Sequence, residues 1–130
     1  MQILVPIDGS DASFRALRFA ADMARNFDGT LRVVHLSDEQ TDATEEIVER
    51  AKEILADEGI ASVPTVTTDV DLEFRPAKQV GEAILEMVAE EGDDHVVMGH
   101  HGAGAVERAM LGSATETVIR ADEVPVTVVP

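Results

Sequence analysis

The chain contains no cysteine, so disulfides, zinc–thiolate sites and thiol catalysis are excluded at the outset. Lysine is almost missing as well, with only Lys52 and Lys78 in 130 residues. No apolar run approaches the roughly 18 residues that a membrane-spanning helix needs. The opening stretch, MQILVPIDGS, has no basic segment ahead of its apolar residues and reads as the start of a fold, not as a secretion signal. The triplet Gly-Lys-Ser/Thr occurs nowhere, which rules out a Walker A phosphate loop.

What is abundant is acid. Aspartate and glutamate outnumber lysine and arginine 26 to 10, giving a formal net charge of −16. A surface of that sign repels nucleic acid and anionic membrane, so neither is expected as a partner. The acids are spread along the chain instead of gathered in a tail, which argues against an acidic disordered arm. Scattered acid with so little lysine resembles the composition of proteins from salt-loaded cytoplasm. At molar salt the Debye length is about 3 Å, and self-repulsion largely vanishes. The alternative is an acidic protein adapted to ordinary salt. A cytoplasmic location is expected in either case. The length and the 45% apolar content predict one domain over residues 1–130.

Strand and helix signals alternate along the chain. Ile3 to Ile7 is a near-continuous apolar run, as in a strand buried on both faces of a parallel sheet, with Pro6 easier to accept at its end. Asp8-Gly9-Ser10 is a turn in which Ser10 or Asp11 caps a helix. Phe14, Leu17, Arg18, Ala21 and Ala24 carry that helix to a stop near Asp28-Gly29. Leu31 to Leu36 is a second strand and Ser37 to Thr44 a loop. Ile47, Val48, Ala51, Ile54 and Leu55 are the apolar stripe of a second helix ending at Gly59. Val63 to Val70, rich in β-branched residues, predicts a third strand. After a charged link over 71–76, Pro76 opens a helix whose stripe is Val80, Ile84, Leu85 and Val88, and Gly92 ends it. His95 to Met98 is a fourth strand, Ala114 to Ala121 has helix character, and Pro125 to Val129 is a fifth strand.

This alternation predicts an α/β three-layer sandwich: a five-stranded parallel sheet with helices on both faces and right-handed crossovers. With strand order 3-2-1-4-5 the order reverses between strands one and four. Ligands of such sheets bind beyond the carboxyl ends of the strands at that reversal. Asp8 ends the first strand and Gly99 the fourth, so the topology brings them together.

From Gly99 to Ser113 the chain reads GHHGAGAVERAMLGS, a glycine-rich loop between a strand and a helix. Glycine lets backbone come close to a ligand. The helix behind the loop offers unpaired N–H groups and the positive end of its dipole to phosphate. Its late position separates it from a Rossmann fingerprint. Ser113-Ala114-Thr115-Glu116 is also a capping box in which Ser113 caps the last helix, and both readings hold if the free N–H groups face phosphate. Each hydrogen bond to a charged phosphate contributes about 1.5–3 kcal/mol, and Glu116 weakens such binding slightly. A carboxylate at Asp8 suits a sugar hydroxyl or Mg²⁺, which prefers oxygen ligands, or it organises the turn alone. His100 and His101, with His35 at the end of the second strand, raise the idea of a metal site. Strands two and four lie about 10 Å apart with strand one between them, an awkward separation for a shared ion. Arg108, the only cation inside the loop, either reaches a γ-phosphate or faces solvent.

ILVPIDGSDASFRAL at the start, VVMGHHG, LGSATETVI and the ending PVTVVP together resemble the universal stress protein family, over essentially the whole chain and in the family's order. The glycine pattern Gly99, Gly102 and Gly112-Ser113 resembles the family's ATP-binding branch. The resemblance implies a five-stranded α/β fold, a homodimer and ATP as ligand, with Mg²⁺. It implies that Asp8 contacts the ribose or the metal, that backbone at Pro6 and Ile7 lines the adenine pocket, and that the backbone of Leu36 reads adenine. It places Met98, Gly99 and Gly102 in the site, and Gly112 and Ser113, followed by Ala114 and Thr115, against phosphate. His101 matches a histidine usual in the family's loop.

Three functions follow for comparison. The first is a regulatory, stress-response dimer that binds ATP and carries no catalytic residue. The second is a slow ATP hydrolase or phosphotransferase using the same site; phosphoryl transfer needs charge neutralisation and a positioned base or water, and the loop offers few candidates. The third is a structural dimer with an empty loop. Under all three, the apolar strand Val126-Val129 pairs across a two-fold axis, because such an edge left exposed invites aggregation.

Overall fold

The computed structural model describes residues 1–36, 41–67, 76–100 and 112–130. Its elements in chain order are β1 (Gln2–Ile7), α1 (Asp11–Asn26), β2 (Thr30–Leu36), α2 (Asp42–Asp57), β3 (Thr65–Thr67), α3 (Pro76–Glu91), β4 (His95–Gly99), α4 (Ser113–Arg120) and β5 (Val126–Val129). All strand pairs are parallel and the sheet order is β3-β2-β1-β4-β5. The expected α/β architecture and strand order are therefore present.

The continuous apolar runs are explained by burial on both faces. Ile3, Val5, Ile7, Val33 and Val97 form one core with Leu17, Ala20 and Ala21 of α1 and Ile54 and Leu55 of α2. Leu4, Val34, Leu36, Val96 and Met98 form a second core with Ile84 and Val88 of α3 and Val118 of α4. Alternate residues of each central strand thus enter opposite layers, and both layers are apolar. Fully burying each such aliphatic side chain contributes about 1.5–3 kcal/mol.

The amino-terminal ends of the strands are tied by a buried charge. The Asp93 carboxylate has no exposed surface and accepts Arg32 Nε at 3.2 Å, Arg32 Nη2 at its other oxygen, and Gln2 Nε2 at 2.8 Å. A fork of this kind satisfies the carboxylate where water does not reach. It lies at the opposite end of the sheet from Asp8 and Gly99. Among the described residues, no helix is long and apolar enough to cross a membrane.

Two element boundaries differ from the sequence expectation by more than a residue. β3 covers Thr65–Thr67, not the whole run from Val63, and the rest of that run from residue 68 lies outside the described residues. α2 begins at Asp42, inside the stretch expected to be loop, because Thr41 caps it by accepting the Thr44 N–H at 3.3 Å. The stop of α1 falls near Asp28-Gly29 as expected, with Asp28 in the left-handed region at φ 51°. Aspartate is among the few side chains that tolerate that region.

Candidate functional site

β1 pairs with β2 along its whole length but with β4 only at Ile3↔His95 and Leu4↔Val96. Pro6 has no N–H to donate, so a hydrogen-bonded ladder cannot continue through it on both sides. Beyond Leu4 the two central strands part. The fork opens at their carboxyl ends, at the reversal of strand order, where the topology directs a ligand.

On the β1 side the chain turns through Asp8-Gly9-Ser10 into α1. Asp8 is exposed, and its Oδ1 accepts the Ser10 N–H at 2.9 Å. Ser10 caps α1 by accepting the Ser13 N–H at 3.1 Å. The buried Ser13 hydroxyl donates to Ser10 O at 2.8 Å and accepts the Asp8 N–H at 3.4 Å. Gly9 has φ +86°, and a Cβ there would lie 2.8 Å from Ile47 Cδ1, so α2 packs directly on this turn. The N–H groups of Asp8, Ser10 and Ser13 are therefore drawn into the turn's own hydrogen bonds.

On the β4 side, a Cβ at Gly99 would lie 2.9 Å from both Ala12 C and Ser13 N. Only glycine allows β4 to end against the first turn of α1. Ser13 consequently touches both halves of the site, the Asp8 turn by hydrogen bond and Gly99 by packing. His100 N–H donates to Val129 O at 2.6 Å, and Gly112 N–H donates to His100 O at 2.9 Å. The Thr115 hydroxyl, nearly buried, donates to Gly99 O at 2.9 Å. These contacts bring the start of α4 to the end of β4.

The capping box expected at Ser113 is absent. Gly112 is the N-cap of α4, with φ −63° and ψ 150°, and no side chain caps the helix. Ser113 is the first helical residue, and Glu116 turns away to accept Arg120 Nε at 2.8 Å. The reason is positional. Gly112 N is held by His100 O, and Gly112 O receives the Glu116 N–H at 2.9 Å, which fixes the cap one residue before the serine. The first-turn N–H groups at Ser113, Ala114 and Thr115 are therefore left without a capping side chain.

The other expected residues divide by what they can present. The side chains of Ile7, Leu36 and Met98 are core, and Pro6 is buried, so a ligand at these positions would meet backbone. Ser113 is exposed and Ala114 half-buried. His35 is 7% exposed, with Nδ1 2.7 Å from Ile7 O. Among the described residues no group of three metal-ligating side chains forms. Gly102, His101 and Arg108 lie outside the described residues. In the sequence Ser13 carries no signal beyond the spacing Ser10-x-x-Ser13, common in helix starts.

The family model for the universal stress proteins matches residues 1–130. A universal stress protein of Thermus aquaticus is 34% identical over 137 aligned residues, covering 98% of this chain and 96% of its relative. One from Methanocaldococcus jannaschii is 30% identical over 141, covering 98% of this chain and 81% of that protein. The structure of the universal stress protein from Archaeoglobus fulgidus in complex with dAMP superposes with a TM-score of 0.74 at 26% identity, covering 100% of this chain and 98% of that one. The chain belongs to the universal stress protein family.

Proposed function

We propose that this protein is a cytoplasmic regulatory dimer that binds an adenine nucleotide, ATP with Mg²⁺, in the fork between β1 and β4. One observation carries the reading: the two helix N-termini at the fork are treated in opposite ways. α1 is closed by the Ser10 side chain and α4 by none. Phosphate therefore goes to α4, where the Ser113, Ala114 and Thr115 amides and the helix dipole supply donors and positive potential. Adenine lies toward the backbone of Pro6, Ile7 and Leu36, with Met98 and Gly99 beneath it; Gly102, also assigned to the site, lies outside the described residues. The exposed carboxylate of Asp8 faces the ribose or the metal. The residues fit Mg²⁺ in its usual manner, one protein carboxylate with phosphate oxygens and water completing the shell. A relative of this fold that binds dAMP supports the nucleotide class.

In the proposed dimer, β5 is the meeting strand. Val126, Thr127, Val128 and Val129 are half-buried, and β5 is an edge of the sheet, the kind of strand a second copy can cover. The function is tested by purifying the protein in high salt, denaturing it and identifying released nucleotide by mass spectrometry, followed by an ATP and Mg²⁺ titration. Near-stoichiometric adenine nucleotide is expected. No nucleotide and no saturable binding would leave the glycines serving the fold alone.

A further inference from the structure

His35, considered above only as a candidate metal ligand, has its ring in a decisive place. It is the last but one residue of β2, paired in register with Ile7, the last residue of β1. The imidazole is buried at 7% exposure, and Nδ1 lies 2.7 Å from Ile7 O. A carbonyl oxygen only accepts, so Nδ1 carries the proton, and the tautomer is fixed by the contact. The next residue after Ile7 is Asp8, and the peptide joining them uses the carbonyl that His35 holds. Asp8 N–H, on the other side of that peptide, donates to Ser13 Oγ at 3.4 Å. The plane of one peptide is thus held from both ends by side chains, one from β2 and one from α1.

We propose that His35 is a positioning residue for the nucleotide site: by donating Nδ1–H to Ile7 O it sets the Ile7–Asp8 peptide, and with it the direction of the Asp8 carboxylate and the backbone wall beside adenine. The role rests on the nucleotide reading of the fork. Pro6 makes such a clip necessary, because β1 has lost its ladder to β4 at this point and is held on one side only. A buried hydrogen bond restores the constraint that the missing ladder would have supplied.

The test uses three variants with ATP as probe, together with the thermal midpoint of each ligand-free protein. Asparagine places Nδ2 where histidine has Nδ1, so H35N keeps the donor. H35Q places its amide where Nε2 was, and H35L removes the donor. H35L and H35Q should bind ATP about tenfold more weakly than the wild type, the factor that 1.4 kcal/mol produces, while H35N stays within about twofold. ATP affinity should follow the donor and not the thermal midpoint. Equal affinity in all four proteins, or affinity that simply follows the midpoint, overturns the positioning role and leaves the nucleotide reading standing. Failure of the wild type to bind ATP overturns both. If H35L does not fold, H35Q and H35N carry the comparison. The ¹⁵N shifts of the ligand-free wild type should show Nδ1 protonated, and a ring protonated only at Nε2 overturns the proposal independently of any nucleotide.

Discussion

Gly112 and Ser10 stand at equivalent points, each just before a helix that opens on the fork, and they differ by one hydroxymethyl side chain. Ser10 accepts the Ser13 N–H and so closes α1. Gly112 has nothing to offer, and its backbone at φ −63° needs no glycine, so its place in the fold is not a matter of conformational freedom. A serine there would bring a capping hydroxyl to the start of α4. Gly112→Ser should raise stability by a few tenths of a kcal/mol and weaken ATP binding, since the new hydroxyl competes for the donors. Thermal melts and ATP titration of the same samples check both signs; tighter binding in the serine variant would contradict the assignment of phosphate to α4. Part of this site was legible in the sequence. The glycines and Asp8 carry a spacing that can be read along the chain. The cap could not be placed, because Gly112 and Ser113 both qualify and the choice depends on His100, twelve residues away. Ser13, and the contact that His35 makes, were hidden for the same reason: these hydrogen bonds need the turn geometry or the register of two strands.

Between elements, the closest approaches occur where glycine replaces a side chain. Gly99 rests on the first turn of α1, and any Cβ meets backbone at 2.9 Å, which cannot swing aside. Gly99→Ala should lower the urea midpoint by an amount corresponding to about 1–3 kcal/mol; an unchanged midpoint would mean that α1 and β4 are further apart than described. β4 and β5 carry a titratable link, His95 Nε2 to Thr127 Oγ1 at 2.7 Å. Burial lowers the His95 pKa from its ordinary value of 6.5. The unfolded chain therefore takes up this proton first as pH falls, so the stabilising contribution is complete above pH 6.5 and is lost as pH drops through the folded value. H95Q, which retains a hydrogen-bonding group, should lose less stability than the wild type between about pH 7 and pH 5. Parallel pH profiles of the two would remove His95 from the account. At this scale the sequence served well for β1, β2, β4 and β5, whose apolar runs answer to burial on both faces. It served less well for β3 and the start of α2, where threonine fits strand, loop and cap equally.

For the molecule as a whole, the surplus of acid sets the conditions. A net charge of −16 on 130 residues repels itself and repels ATP. Near the physiological range the Debye length is about 8 Å, and at molar salt about 3 Å. Added KCl should therefore raise the thermal midpoint and strengthen ATP binding together. A steady loss of ATP affinity with added salt, while the fold persists, would contradict the electrostatic account. Arg25, drawn to Glu58 and Asp22 at the surface, is among the few positive charges set against this excess, and its pKa is raised by the Glu58 hydrogen bond above all.

The most direct test of the account is an amide-resolved NMR titration of the ¹⁵N-labelled protein with ATP and Mg²⁺ in molar KCl. Saturable shifts centred on the Ser113, Ala114 and Thr115 amides, with smaller ones at Asp8 and Leu36, are predicted. Saturable binding that moves instead the amides at the start of α1, or that leaves α4 unchanged, would contradict it.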